Sequence, residues 1–278
     1  VTLVQTLLTP TGVLQVSDRQ LTFPSGEASE SPANKVVIWC EHMVVGFSGM
    51  AFTDSAGQCT ISEWIVRKLR GARTVEDAAQ SLVLGGNELM AGRDDDELRK
   101  LTMKLAGAPP GINRNLLYCI SNVAHPAQPA QPAQPAQRYF DVKIMHIPLR
   151  QGEYRYHTAG VLINPVYQQS YEKELAGIHS DFGANHAAKS MIALQRRVRE
   201  AELAEKLGSR VGREAMVVWL PAVAESKSVV FIATGTESAD IDERWAMYSF
   251  IDAYTFSQVR FEPHFVCGDA VRIAHLSG

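Results

Sequence analysis

The chain has 278 residues, a formal net charge of −3, and is 46% hydrophobic and 21% charged. That length accommodates one large or two ordinary domains with a sizeable core. The slight acidity gives no electrostatic case for a nucleic acid or an anionic membrane as partner, and apolar runs such as "VVFIA" at 229–233 are too short to span a bilayer.

In chain order, "LVQTLLT" and "GVLQVSD" flank a Thr-Pro-Thr-Gly turn and read as a hairpin over 2–8 and 13–17. A polar loop covers 23–34. "KVVIWCE" (35–41) and "MVVGFSG" (43–49) form a second hairpin about His42, and their continuous apolar runs predict strands covered on both faces. "TISEWIVRKL" (60–69) opens on a Thr60-to-Glu63 capping box and closes on basic residues before Gly71. A second helix begins near Thr74 and is loosened by Gly85 and Gly86. The carboxylates of Asp94, Asp95, Asp96 and Glu97 read as the first turn of a helix "DDDELRKLTMKL" rather than as metal ligands.

Strands are predicted at 115–124 and 138–149, with His146 on the second. Between them lie tandem Pro-Ala-Gln units at 126–137, a polyproline-type excursion on the surface. A long helix covers 183–207, because Ala187, Met191, Leu194, Val198 and Ala201 recur at a spacing of three or four. Gly208 stands where it stops. "EAMVVWLPAV" (214–223) and "KSVVFIATG" (227–235) read as the last core strands, and the aromatic segment 236–278 as a helix plus a terminal stretch. The order lacks a regular βαβ alternation, so an α+β fold of two packed antiparallel sheets with helices outside is expected.

Cys40, Cys59, Cys119 and Cys267 are scattered, without CxxC or metal-ligand spacing, and Cys40 and Cys119 sit in apolar runs. With no signal-peptide pattern, this fits a reducing, cytoplasmic setting. "GFSGMA" fails the G-x-S-x-G nucleophile pattern at Met50, and no H-E-x-x-H, P-loop or G-x-G-x-x-G occurs.

A hydroxyl residue at a chain start offers another route. Its own α-amine serves as general base, with an unperturbed pKa of about 7.7–8.0. A neighbouring ammonium lowers that value, a carboxylate holds the ammonium, and backbone N–H groups receive the oxyanion. Thr2, Asp18, Lys35 and the Ser48-Gly49 turn come in this order on the first two hairpins.

This arrangement resembles the proteasome β-subunit branch of the N-terminal nucleophile hydrolases. Counted from Thr2, Gly12 and the Ser17-Asp18 pair stand where such subunits carry their turn glycine and strand-end aspartate. The segment "NKVVIWCEHMVVGFSGMAFTDSAGQCTISEWIVRKL" is similar to their lysine strand, hairpin, small-residue turn and first helix, and "AELAEKLGSRVGREAMVVWLP" to a later helix-to-strand passage. The resemblance implies a four-layer αββα sandwich over 1–235 with 236–278 as an extension. It implies Thr2 as nucleophile, Asp18 orienting Lys35, Lys35 tuning the amine, and the Gly49 N–H in an oxyanion hole.

It further implies a threonine peptidase acting on peptides or unfolded protein, without metal or organic cofactor. Self-association into a ring or related assembly is expected, with an ATPase partner left open. A non-catalytic scaffold subunit and a non-peptidase amidohydrolase are the alternatives. Two stretches depart from the pattern: "YHTAGVL" replaces Gly-Ser-Gly, and "GSRVGRE" contains no aspartate and only Ser209 as hydroxyl, so the supporting groups must differ. The mechanism needs Val1 removed, as a GTG start translated as methionine and then cleaved would achieve.

Overall fold

A computed structural model describes residues 2–21, 33–39, 43–54, 59–92, 96–107, 115–124, 138–147, 153–160, 183–204, 211–221, 246–257, 259 and 273–274. The strand expected at 227–235, the Pro-Ala-Gln run, Gly208, Ser209, Asp94, Asp95, His42, Cys40 and Cys267 lie outside these residues.

The first hairpin pairs β1 (Leu3–Thr9) with β2 (Gly12–Asp18). Its turn is tied by Thr9, whose Oγ1 lies 3.1 Å from both the N–H and the carbonyl oxygen of Gly12. Glycine is required there because a Cβ would come within 2.4 Å of the Leu220 carbonyl oxygen. The second hairpin joins β3 (Val36–Trp39) and β4 (Met43–Ser48). Val36, Ile38 and Val44 face the other sheet, while Val37, Trp39, Met43, Val45 and Phe47 face helices, which explains the unbroken apolar runs.

Helix α1 (Ile61–Leu69) carries the expected capping box: Glu63 N–H donates to Thr60 Oγ1 at 3.2 Å, and Thr60 N–H donates to Glu63 Oε2 at 2.8 Å. Helix α2 (Val75–Gly92) runs without a break through Gly85 and Gly86. Those glycines do not loosen it. They admit close neighbours, since a Cβ on Gly86 would lie 2.6 Å from the Phe140 ring and one on Gly85 would lie 2.8 Å from the Lys68 stem.

The helix expected over "DDDELRKLTMKL" is only α3 (Asp96–Lys100), and the chain then enters β5 (Thr102–Gly107). Leu98, Leu101 and Leu105 mimic a helical spacing, but Thr102–Gly107 alternates: Met103 and Leu105 face the helices, and Ala106 faces the opposite sheet. Strands β6 (Asn115–Ala124) and β7 (Arg138–Ile147) follow, then β8 (Arg155–Gly160), helix α4 (Gly183–Ala204) and β9 (Glu214–Pro221). The aromatic segment expected as helix contributes β10 (Ala246–Asp252), because Phe250 points between the sheets and Ile251 toward α4; β11 (Ile273–Ala274) extends that edge.

Among the described residues the strands form two sheets, ordered β11-β10-β9-β2-β1-β8 and β3-β4-β5-β6-β7. Leu8, Val13, Ile38, Val44, Leu117 and Val218 pack between them. Helices α1, α2 and α3 cover the outer face of the second sheet, and α4 covers the first. This is an αββα sandwich. No helix among the described residues is long and apolar enough to cross a membrane.

Candidate active site

The strand ends converge at one edge of the sandwich. Asp18 closes β2 and is fully buried. Its Oδ2 accepts the Leu3 N–H at 2.8 Å, and its Oδ1 accepts the Gln20 N–H at 2.9 Å, the Gly212 N–H at 3.1 Å and the Lys35 ammonium at 2.9 Å. Three backbone donors and a cation thus satisfy a carboxylate that would otherwise be costly to bury.

Lys35 stands just ahead of β3 and is only 2% exposed. Burial pulls its pKa below the usual lysine value, and the charge of Asp18 and its hydrogen bond only partly offset that pull. The ion pair is thus almost wholly withdrawn from water.

Thr2 immediately precedes β1 and is buried, with its carbonyl oxygen accepting the Ser48 hydroxyl at 3.3 Å. Leu3 pairs with Gly160 at the end of β8. Gly160 has φ +102°, and a Cβ would meet the Thr2 carbonyl oxygen at 1.5 Å, so only glycine lets the two backbones pass. Gly49 immediately follows β4 in a similar conformation, φ +107°, with the Lys100 carbonyl oxygen 2.2 Å from where a Cβ would be.

Thr2, Lys35 and Gly49 line a single small cleft of about 20 Å³, together with Gln20, Leu21, Phe47, Met50 and Ala51. Asp18 lies behind it, bonded to Lys35. The four residues singled out from the sequence are thus gathered in one place. A hydroxyl residue, a buried ammonium and a small-residue turn thus share one cleft, the residue types that nucleophile activation and anion binding call for. Among the described residues, no group of three or more His, Cys, Asp or Glu side chains is arranged to hold a metal.

Sequence reasoning missed the groups that brace this arrangement. The loop 211–214, within the stretch lacking an aspartate, reaches Asp18 through the Gly212 backbone N–H. Helix α4 holds that loop: Gln195 Nε2 donates to the carbonyl oxygens of Gly212 and Glu214, each at 2.9 Å. Arg199 Nη1 donates to the Val211 carbonyl oxygen at 2.8 Å, and Glu202 Oε2 accepts the Val211 N–H at 3.0 Å. Gln195 and Glu202 are buried polar residues at positions 195 and 202, seven apart on one helix face, which is the signal the sequence did carry.

No protein-family model matches the sequence, and no curated protein does. Solved structures do match. Anbu (ancestral beta-subunit) from Yersinia bercovieri is 15% identical with a TM-score of 0.51, covering 80% of this chain and 81% of that one. The chain in the helical assembly of the Anbu complex from Pseudomonas aeruginosa is 12% identical with a TM-score of 0.51, covering 79% and 81%. These findings correct the assignment to the proteasome β-subunit branch, because the matched structures are Anbu proteins, which are proteasome-like but a distinct family. At such low identity the likeness establishes the fold: this chain has a proteasome-like αββα sandwich.

Proposed function

We propose that the chain is an N-terminal-threonine hydrolase that cleaves peptide amides once Thr2 carries a free α-amine. The observation that supports this reading is the cleft that Thr2, Lys35 and Gly49 share, backed by the buried Asp18–Lys35 pair.

In this mechanism the α-amine of Thr2 takes the proton from its own hydroxyl as Oγ1 attacks the scissile carbonyl carbon. The Lys35 ammonium lowers the pKa of that amine by like-charge repulsion, and Asp18 fixes the ammonium in place. The Gly49 N–H stabilises the developing oxyanion. The protonated amine then gives its proton to the leaving nitrogen, and an ester to Thr2 Oγ1 remains. Water, deprotonated by the regenerated amine, hydrolyses this ester.

Self-association is part of the same proposal, supported by the helical assembly in which the matched Pseudomonas aeruginosa chain was solved. A reducing compartment fits the free thiols of Cys59 and Cys119.

The test is hydrolysis of fluorogenic peptides and of small acyl amides by protein matured to begin at Thr2. Peptide cleavage abolished by Thr2→Ala supports the proposal. Turnover of small amides alone points to an amidohydrolase, and no turnover by the assembled protein points to a scaffold.

A further inference from the structure

Lys104 is the second buried lysine of the described core, and it differs from Lys35 in one respect. It is 8% exposed, yet among the described residues no carboxylate forms an ion pair with it. Its ammonium instead donates to the sulfur of Cys119, with Nζ 3.0 Å from Sγ. The contact follows from the register: Lys104 on β5 is directly opposite Cys119 on β6. The surroundings add positive charge rather than relieve it, since Lys143 on β7 is opposite Cys119 on its other side, and Arg155 of β8 adds a further cation nearby. A buried cation without a counter-charge is costly, and a thiol is a weak acceptor for it.

We propose that Lys104 and Cys119 are a redox modification site, joined by a covalent nitrogen–sulfur bond under peroxide. Cys119 is half-buried, so a small oxidant reaches it, and the side-chain nitrogen of Lys104 is in direct contact with its sulfur. In the first step the sulfur attacks hydrogen peroxide; an S–O bond forms, the O–O bond breaks, and water leaves. The sulfur is oxidised by two electrons to the sulfenic acid, and the peroxide is reduced. In the second step Lys104 releases the extra proton of its ammonium to water and its nitrogen attacks that sulfur; an S–N bond forms, the S–O bond breaks, and hydroxide leaves with a further nitrogen-bound proton as water. The sum is one thiol, one ammonium and one peroxide giving one S–N bond, two waters and one proton. The product replaces a buried ammonium with a neutral nitrogen and staples β5 to β6. An external thiol reverses it by attacking the sulfur and releasing the amine.

The proposal does not rest on the hydrolase reading, because its readout is a covalent bond. Purified full-length protein is treated with a small excess of hydrogen peroxide, digested without reductant and mapped by mass spectrometry. The expected product is a peptide pair joining Lys104 to Cys119, lighter than the sum of its parts by about 2 Da. It disappears with dithiothreitol and is absent from the Cys119→Ser and Lys104→Arg variants. The wild-type map decides the matter even where a variant folds poorly. Cys119 recovered as sulfinic or sulfonic acid with Lys104 unmodified overturns the proposal. So does an intact Cys119 thiol at peroxide levels that oxidise Cys59.

Discussion

The Lys35 ammonium and the Asp18 carboxylate meet at 2.9 Å with 2% and 0% of their side chains exposed, so each is the other's main compensation for leaving water. The two ends of the pair are not equivalent. Asp18 also accepts three backbone N–H groups, whereas Lys35 depends on Asp18. Asp18→Ala is therefore expected to strand a buried cation and cost about 3–5 kcal/mol. Lys35→Met leaves a carboxylate still held by three donors and costs less. Urea unfolding of the two variants measures the difference, and equal losses contradict the asymmetry.

Gly160→Ala should be among the most damaging single-atom additions in the chain. Both the positive φ and the collision with the Thr2 carbonyl oxygen oppose it. A loss of about 3 kcal/mol or more is expected, from combined backbone strain and displacement of the Thr2 strand. Thermal denaturation detects it, and a near-normal melting temperature contradicts the close packing of β1 on β8.

The brace from α4 predicts a coupled effect. Glu202→Leu leaves the Val211 N–H without its carboxylate acceptor, at a cost of about 1–3 kcal/mol. The same change frees the loop whose Gly212 N–H fixes Asp18, so the proposed chemistry should slow by about tenfold or more. Glu202→Gln, which keeps an acceptor oxygen, should recover most of both. Single-turnover labelling rates measured with folded protein separate this loss from simple unfolding.

His157 predicts an acid-side weakness. Burial, followed by the charges of Lys104, Arg155 and Lys143, pushes its pKa down to about 4. Between pH 6.5 and 4 the unfolded chain therefore binds a proton that the folded chain refuses. Stability from this group is complete above pH 6.5 and is lost as pH falls through 4. The contribution is about 1–2 kcal/mol after allowance for partial exposure. His157→Gln should lack this part of the acid limb, so its stability deficit at pH 7 should shrink by pH 4.

The αββα architecture was legible where the signal was local. The Thr60 capping box, the first hairpin turn and the apolar stripe of α4 each follow from residues within one or two turns of each other. β5 was not legible, because three leucines on a helical spacing hide a strand whose identity is set by pairing to β4 and β6. Segment 246–252 misled through its aromatic richness in the same way. In the site, Thr2, Asp18, Lys35 and Gly49 come from two adjacent hairpins and could be lined up by counting. The groups behind them could not, since the Gly212 N–H reaches Asp18 across 194 positions and its donor is backbone, which no residue type announces. Short strand motifs also failed to separate proteins that share one fold, which is why the proteasome β-subunit assignment does not stand beside matched structures that are Anbu proteins.

The most direct test of the central claim is mass mapping after treatment with a β-lactone or epoxyketone, using protein whose first residue is Thr2. The account predicts a single adduct on Thr2, formed readily by the wild type and at least about tenfold more slowly by Lys35→Ala. An unmodified Thr2 in folded, assembled protein, or labelling indifferent to the loss of Lys35, contradicts it.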